Sequence, residues 1–554
     1  MKNKPRLHKL FSSILLFGLC LHLPLFRPDV SGKEQRLRLV ILIAVDGLGA
    51  DILGRYDSLF TGGFRRLRDQ GMSFTNAMVN HALTISHPGH VTLSTGMNPS
   101  RHGIVDAAFY QREGGRWRFV DAVRDDQERI IGFAGAAGAS PRNILVSALP
   151  EWIVSADPQA RFVAVGTGRY SSLLHACRMR GDVYWFDNEV GRYVTSSYYR
   201  QDYPDWVDRF NREELPRYIE SSAIWRSTVP PHARRLARRD DAPYEGYEGH
   251  TSFPHYLKDA APKDNPNDPK ALSRWFKNTP TADAATLALA KEAIRARSLG
   301  QRGSTDYLSI VVSQVDDISH SYGSGSQEQL DNLLRLDREL GDFLKFLDKK
   351  VGEGHYLVAL SADHGMMDMP EYQREIGQPG RRITEEEINA VLREVSSVIS
   401  RSPGTREETA ARVAKAVKRY DFVADAMTPK QMLGASTSSD PFVTLYRNSY
   451  SSDRVPRFPL FDLSKGTSPV AEAGVVVRLV RGAIVDLDRA VHGSPYEYDR
   501  HVPLIFMGYG IRAGSSAEPV GVVDVAPTLA RLAGINFPSG LDGRPLLVKR
   551  PKKE

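Results

Sequence analysis

Cysteine is scarce in this chain of 554 residues. The two cysteines are Cys20 and Cys177, and Cys20 lies in an amino-terminal segment that has the anatomy of a leader. Loss of that segment leaves one cysteine, which excludes an intramolecular disulfide, so a packed core has to supply the stability. A chain of this length can bury such a core, either in one large domain with insertions or in two lobes.

A strong charge of one sign is also lacking. The formal net charge is +7, and it falls to +3 without residues 1–32, which hold five basic residues and one acidic residue. This small positive excess argues neither for nor against nucleic-acid binding, so no nucleic-acid partner is indicated. The sequence shows no internal repeat and no low-complexity tract, so a repeat architecture is not expected. Nothing in the sequence indicates the oligomeric state.

Long hydrophobic runs are confined to the amino terminus. Residues 1–32 combine a basic start, an apolar stretch from Leu10 to Phe26 and a small-residue exit at Val30-Ser31-Gly32. This anatomy predicts a secretory signal peptide and therefore export. A retained amino-terminal anchor is the alternative, because the apolar stretch is near the lower limit for spanning a bilayer. No other run is long enough, so no membrane span is expected in the mature chain.

Shorter apolar runs alternate with helical patterns from residue 37 to about residue 547. Runs at residues 39–45, 307–312, 356–360 and 502–508 are typical of strands buried on both faces, and Gln327–Val351 has the spacing of an amphipathic helix. We therefore predict an α/β fold, a three-layer α/β/α sandwich with a mostly parallel central sheet. One domain over residues 33–547 is expected, with insertions at about 110–300 and 371–490 that cap the edge of the sheet.

Acidic residues follow three of these strands, and histidine accompanies two of them. Asp46 ends the first run, Asp316 and His320 follow the second, and Asp363 and His364 follow the third. Ligands in α/β sheets bind outside the carboxyl ends of the strands. Each pair alone has ordinary structural uses, but carboxylates and imidazoles at three strand ends predict a metal site, with zinc ahead of manganese or iron.

A serine near these residues is the candidate nucleophile. Ser86 stands two residues before Pro88, and the run to Thr95 can form a helix with proline in its first turn. Free N–H groups at a helix amino terminus stabilise an oxyanion or a phosphate. Ser86 could instead act only as a helix cap, and Thr84 is the rival nucleophile.

The chain resembles the alkaline phosphatase superfamily over nearly its whole mature length. Within it, the resemblance is to the type I phosphodiesterase/nucleotide pyrophosphatase branch and the periplasmic alkaline phosphatases whose nucleophile is threonine. The most specific segments are VDGLGAD at Val45–Asp51, SHPGHVTLSTG at Ser86–Gly96, GRYVTSSYY at Gly191–Tyr199, VDDISHSYG at Val315–Gly323, SADHGM at Ser361–Met366, and HGSPYEYDRHVPLIFMGYGI at His492–Ile511.

This resemblance implies a two-zinc phosphoric-ester hydrolase that acts on small phosphorylated substrates, in the periplasm, through a phosphoserine at Ser86. Asp316, His320 and His492 would hold one zinc, and Asp46, Asp363 and His364 the other, with Ser86 as a ligand between them. His90 and His102 would support the site. Sulfatases have arginine at the position of His90, which weighs against sulfatase activity here.

Two phosphate contacts of the resembled phosphomonoesterases are missing. Their asparagine falls on Ala107, and their Lys-x-Arg pair reads Thr167-Gly168-Arg169, so Arg169 alone remains as a phosphate clamp. A monoester dianion should suffer more from these losses than a diester. We therefore predict phosphodiesterase or pyrophosphatase activity, with alkaline phosphomonoesterase as the alternative. A metal-retaining binding protein with eroded catalysis is a further alternative.

Overall fold

The four apolar runs form neighbouring strands of one ten-stranded sheet in the computed structural model of the chain. The structure describes residues 36–133, 137–168, 170–247, 249–260, 269–401, 404–434, 440–456, 474–485 and 490–548. The predicted signal peptide and Arg169 lie outside the described residues. No helix within these ranges combines the length and the apolar character needed to cross a membrane.

The central sheet is mostly parallel. Its strands are β1 Leu39–Val45, β2 Met72–Met78, β3 Phe162–Gly166, β4 Asp182–Asp187, β5 Arg192–Val194, β6 Asp306–Val312, β7 Tyr356–Ser361, β8 His501–Gly508, β9 Gly514–Ser516 and β10 Val520–Gly521. Their order is β9-β2-β8-β7-β1-β6-β3-β4-β5, and β10 pairs with β2. Within the described part of this sheet, β8 pairs antiparallel with β7 and β2, β5 pairs antiparallel with β4, and the other pairs are parallel. The parallel pairing of β7, β1, β6, β3 and β4 agrees with the predicted mostly parallel sheet.

Helices form an outer layer on each face. Four of them bear on the site: α1 Ser86–Thr95, α2 Thr281–Arg297, α3 Gln314–Tyr322 and α4 Gln327–Lys350. One group joins α2, α3 and α4, while α1 packs with Ser171–Ala176 and Val525–Leu532 in a second group. Strands β1, β6 and β7 are completely buried between the layers. The three-layer α/β/α sandwich is therefore confirmed.

The remaining described elements are not strands of the central sheet. Further helices are Ala50–Arg55, Gly63–Gln70, Pro99–His102, Leu149–Ala156, Ser171–Ala176, Asp205–Arg209, Leu215–Ser221, Leu257–Ala260, Pro269–Phe276, Pro370–Glu375, Glu385–Arg401, Arg406–Val417, Pro429–Leu433, Pro441–Ser449, Glu497–Arg500 and Val525–Leu532, with 3-10 turns at Asp57–Leu59, Arg234–Leu236 and Val522–Asp524 and a π-turn at Phe210–Glu214. Small sheets use Ala108–Glu113, Arg116–Asp121, Arg124–Arg129, Ala137–Ala139, Ile224–Trp225, His255–Tyr256, Arg381–Arg382, Val423–Met427, Arg454–Pro456, Val476–Leu479 and Ala483–Ile484.

The predicted insertion at residues 110–300 includes two strands of the central sheet, so its predicted bounds are wrong. Residues 110–300 were expected to lie outside the sheet, yet β3 pairs in parallel with β6, and β4 with β3. Both are short strands in an aromatic-rich stretch, and β6, the partner that joins β3 to the centre of the sheet, lies far along the chain, so local patterns do not reveal the pairing. In the described part of residues 371–490, Val391, Val413, Met432 and Val477 belong to a hydrophobic cluster separate from the main core, and the second insertion stays a prediction.

Candidate active site

The predicted ligand residues meet at one edge of the sheet. Strand β1 lies between β6 and β7, with Val45 beside Val312 and Ala44 beside Ser361, so the three carboxyl ends are level. Asp46 directly follows β1. The other two strands lead into α3 and into the loop after Ser361, which carry the remaining acidic residues.

Asp316, His320 and His492 form one compact set, the first ligand group. Their ligand atoms all lie within 4.8 Å of one another. Nε2 of His320 is 3.3 Å from Oδ2 of Asp316, and Nε2 of His492 is 3.5 Å from Oδ1. Asp316 and His320 share a face of α3 because they are four residues apart. His492, a loop residue far along the chain, completes the group.

Asp46, Asp363 and His364 form the second ligand group, which is buried. Their ligand atoms also lie within 4.8 Å of one another. Nε2 of His364 is 3.5 Å from Oδ1 of Asp46 and 3.4 Å from Oδ2 of Asp363. The amide of Gly47 donates to the other oxygen of Asp363 at 3.2 Å, which fixes that carboxylate.

Backbone carbonyls orient all three imidazoles. The Nδ1–H of each ring donates to a carbonyl oxygen: His320 to Ala490 at 2.6 Å, His364 to Gly365 at 2.9 Å and His492 to Thr84 at 2.8 Å. A carbonyl accepts but cannot donate, so Nδ1 carries the proton and Nε2 presents a lone pair to the site. Burial lowers the pKa of His492 to about 3 and also lowers the pKa of His364, so both rings are neutral at neutral pH.

Three carboxylates crowd this site, and their pKa values diverge. Burial, followed by the charge of Asp46, raises the pKa of Asp363 well above its usual range. Burial also opposes ionisation of Asp316, but the charge and hydrogen bond of His320 outweigh it, and the pKa of Asp316 is lowered. Burial and the charge of Asp316 oppose ionisation of Asp46, but the hydrogen bond and charge of His90, together with the charge of His364, outweigh them, so the pKa of Asp46 is lowered too. Cations in the two groups would remove the repulsion between these carboxylates.

The donor set fits two divalent cations. Oδ1 of Asp316 and Oδ2 of Asp363 are buried and have no hydrogen-bond partner in the described part of the chain. A buried carboxylate oxygen without a partner is costly, and a cation would satisfy it. Imidazole nitrogens mixed with carboxylates suit zinc, whereas calcium takes oxygen ligands alone. Three protein ligands in each group leave a coordination position open for substrate.

Ser86 stands against the second ligand group. It is the first residue of α1, and its Oγ lies 3.3 Å from Nε2 of His364 and 3.5 Å from Oδ1 of Asp46. The amino terminus of α1, which is the positive end of the helix dipole, therefore lies at the second ligand group. A phosphoryl group next to Ser86 would meet both the hydroxyl and this positive end.

The rival hydroxyl is directed elsewhere. Thr84 is buried, and its Oγ1 donates to the carbonyl of Ser494 at 2.9 Å. Its own carbonyl is the acceptor that orients His492. Thr84 therefore holds a ligand histidine in place, and Ser86 is the hydroxyl that faces the ligand groups.

His90 and His102 lie behind Ser86 on or near α1. Nε2 of His90 is 3.5 Å from a carboxylate oxygen of Asp46 and 3.5 Å from one of Asp363, so this ring links two members of the second group. His102 receives the amide of Ile104 on Nδ1 at 3.2 Å and lies 3.1 Å from the hydroxyl of Thr92. The sequence alone marked both as support, and it gave no signal for the double contact of His90.

Two glycines allow the elements of the site to approach each other. Gly47 has a φ of 74°, and a Cβ there would lie 2.9 Å from the Cα of Asp316. A Cβ on Gly89 would lie 2.6 Å from the carbonyl oxygen of Asp363. Gly47 thus brings the turn after β1 against α3, and Gly89 brings α1 against the loop after β7.

Ala107 and Thr167 occupy the positions that the resemblance aligns with phosphate contacts. Ala107 carries only a methyl group, so it cannot donate to phosphate. The Thr167 hydroxyl is buried against α2, where it donates to Asp283 at 2.8 Å and lies 2.7 Å from the hydroxyl of Thr286. Asp283 also accepts the amides of Ser313 and Gln314, at 3.0 and 3.2 Å, and so anchors the start of α3.

The fold, the sequence and the two ligand groups together define a metal-dependent hydrolase of phosphoric esters. A family model described as Type I phosphodiesterase / nucleotide pyrophosphatase matches residues 40–459. The chain belongs to this family, within the alkaline phosphatase superfamily.

Known relatives match the chain along nearly its full length. Alkaline phosphatase PafA of Elizabethkingia meningoseptica is 28% identical over 92% of this chain and 94% of its own. Alkaline phosphatase PhoV of Synechococcus elongatus is 29% identical over 92% of both. A protein of Myroides odoratus named calcium-transporting ATPase is 29% identical over 97% of this chain and 98% of its own. The crystal structure of wild-type PafA superposes with a TM-score of 0.81 at 28% identity, covering 92% of this chain and 98% of PafA.

Proposed function

We propose that this chain hydrolyses small phosphoric esters at two zinc ions, one in each ligand group, with Ser86 as the nucleophile. The observation that carries the proposal is the position of Ser86 Oγ, 3.3 Å from Nε2 of His364 at the amino terminus of α1. A hydroxyl in contact with a set of metal ligands has little structural use. Zinc bound there would activate the hydroxyl and neutralise charge on the transferring group.

The proposed reaction has two steps, and both take place at Ser86. Oγ of Ser86 attacks phosphorus, the ester oxygen leaves, and a phosphoserine forms. Water then attacks the phosphoserine, which releases phosphate and restores the hydroxyl. Nδ1 of each ligand histidine is held by a carbonyl, so the rings keep their orientation through both steps. The N–H groups of α1 stabilise negative charge on the phosphoryl oxygens.

Phosphoric monoesters are the substrate class we propose first. Two of the relatives that span this chain are named alkaline phosphatases. Diesters or pyrophosphates are the second candidate, because Ala107 cannot donate and the Thr167 hydroxyl is bound to Asp283. The sequence-based preference for diesters remains a prediction. Export to the periplasm through residues 1–32 is likewise part of the proposal, supported by the basic and apolar pattern of that segment.

The test compares two neighbouring hydroxyls. Purified, zinc-loaded wild type, Ser86→Ala and Thr84→Val are assayed on p-nitrophenyl phosphate, bis-p-nitrophenyl phosphate and p-nitrophenyl sulfate, with zinc content measured in each. We expect Ser86→Ala to lose turnover while keeping its zinc, and Thr84→Val to retain turnover. Activity of Ser86→Ala at the wild-type level would overturn the covalent mechanism. Inactivity of the wild type on every ester would favour the binding-protein alternative.

A further inference from the structure

A lysine from a distant segment lies beside the ligand groups. Lys277 follows the helix Pro269–Phe276, and its Nζ donates to both carboxylate oxygens of Asp317, at 2.8 and 2.7 Å. Asp317 directly follows Asp316, a member of the first ligand group, in the first turn of α3. The ammonium group is thus attached to the helix that carries part of the site. No sequence motif marks this residue.

The pair is held in place. The side chains of Lys277 and Asp317 are 19% and 17% exposed, so both are largely buried but still reach solvent. The side-chain amide of Gln314, through Nε2, also donates to Oδ2 of Asp317 at 3.4 Å. A surface lysine loses much side-chain entropy when it binds a ligand, whereas an ammonium already fixed by two hydrogen bonds loses little.

The charge of Lys277 reaches both ligand groups. Burial opposes it, but the charge and hydrogen bonds of Asp317, together with the charges of Asp316 and Asp46, raise the pKa of Lys277. The side chain is therefore a cation at neutral pH. Asp316 belongs to the first group and Asp46 to the second, so the ammonium group is close enough to interact with both.

The same region lacks a cation at Thr167. The hydroxyl of Thr167 is turned into the interior and bound to Asp283. Asp283 in turn holds the amide of Gln314, three residues before Asp317, so Thr167 and Lys277 approach the same end of α3 from different elements. Two of the three ammonium protons of Lys277 bind Asp317, and the third has no acceptor among the residues that the structure describes.

We propose that the third N–H of the Lys277 ammonium group donates a hydrogen bond to a terminal oxygen of the phosphoryl group at Ser86. This contact enables the site to use monoesters. This inference rests on the proposed function. A monoester dianion has three terminal oxygens that share its charge, whereas a diester has two and a single charge. An ammonium donor on a terminal oxygen therefore favours monoesters over diesters. Asp317 is the positioning residue that directs the ammonium group.

The test measures the ratio of two activities. Lys277→Met is compared with wild type for kcat/KM on p-nitrophenyl phosphate and bis-p-nitrophenyl phosphate. We expect the monoester value to fall by about ten- to a hundredfold, the range of a charge-assisted hydrogen bond, and the diester value to change much less. Inhibition by inorganic phosphate should weaken in parallel. Lys270→Met is the matched control, because Lys270 pairs with exposed Glu189 on the surface, and it should leave both values unchanged.

A second variant keeps the test valid if Lys277→Met folds poorly. Lys277→Met combined with Asp317→Asn removes both charges of the pair, so no carboxylate is left buried without its partner. Zinc content and melting temperature are measured for each variant. The double variant should show the same selective loss of monoesterase activity.

Three results would overturn the inference. These are equal losses on both esters, no loss on either, or unchanged inhibition by phosphate in a zinc-loaded, folded variant. Each would show that Lys277 only neutralises Asp317. Failure of the proposed function is recognised separately, because Ser86→Ala would then remain active whatever the Lys277 variants do.

Discussion

The imidazole rings of His364 and His492 stack face to face, with centroids 3.7 Å apart and planes inclined by 14°. The two rings belong to different ligand groups. Nδ1 of each ring also donates to a backbone carbonyl. The carbonyl contacts and the stack together set the positions of the two Nε2 atoms relative to one another. Ser86 Oγ lies 3.3 Å from one of them. The stack therefore connects the two ligand groups directly, and the hydroxyl contacts it at His364.

Metal removal should abolish activity. A chelator should remove the cation from each ligand group, and added zinc should restore the activity. Elemental analysis should find two zinc ions per chain. His492→Ala should reduce the content to about one ion, because the first group then keeps two protein ligands. His232→Gln, at an exposed histidine, should keep both ions, and a preparation that is active with calcium alone would contradict the zinc assignment.

Gly47→Ala should separate the ligand groups. An alanine there takes on a left-handed backbone, at about 1–2 kcal/mol, and also places its Cβ 2.9 Å from the Cα of Asp316. We expect loss of metal affinity and of kcat. Gly510→Ala is the matched control, since Gly510 has a similar φ of 72° with no atom within 4 Å of the added Cβ. Equal effects of the two substitutions on metal affinity would refute the close-approach argument.

Asp283→Ala should loosen the start of α3. It leaves the buried amides of Ser313 and Gln314 without their acceptor, and the free energy of unfolding should fall by about 2–4 kcal/mol. Metal affinity should fall with it, because α3 carries Asp316. Thr167→Val removes one hydroxyl contact with Asp283 and should have a smaller effect on both quantities. Chemical denaturation and zinc titration measure them, and unchanged zinc affinity in Asp283→Ala would count against the anchor.

The sequence predicted the central strands and the meeting of the metal-ligand residues at one edge of the sheet, because both depend on local sequence patterns. Runs such as residues 39–45 are apolar throughout, and parallel strands align their carboxyl ends. The pairing of β3 with β6 was not predictable, since a five-residue run gives no sign of a partner so far along the chain. His90 and Lys277 were missed as contacts for the same reason. Their partners, Asp46 and Asp317, come from other elements, and no spacing rule links them.

Acid should destabilise the native chain through its buried histidines. Burial lowers the pKa of His81 to about 3, and lowers those of His102 and His175 well below the ordinary 6.5. Between pH 6.5 and about 3 the unfolded chain binds protons that the native chain excludes. The free energy of unfolding therefore falls as the pH falls, by at most about 1.4 kcal/mol per pH unit for each histidine.

His81→Asn tests this account. Asparagine keeps a donor for the carbonyl of Leu83, which His81 binds at 2.9 Å, but it does not titrate. Urea unfolding at pH 8 and pH 5 should show a smaller loss of stability on acidification in His81→Asn than in wild type. His232→Gln should behave as wild type. An identical pH dependence in all three proteins would show that His81 does not contribute.

The covalent intermediate is the most direct test of the central claim. Zinc-loaded enzyme is mixed with p-nitrophenyl phosphate, quenched in acid within the first turnovers and digested. The peptide that contains both Thr84 and Ser86 is then analysed by mass spectrometry. We predict one phosphoryl group on Ser86 in wild type and none on this peptide in Ser86→Ala. A turning-over wild type that carries no phosphoryl group on Ser86, or carries it on Thr84, would contradict the account.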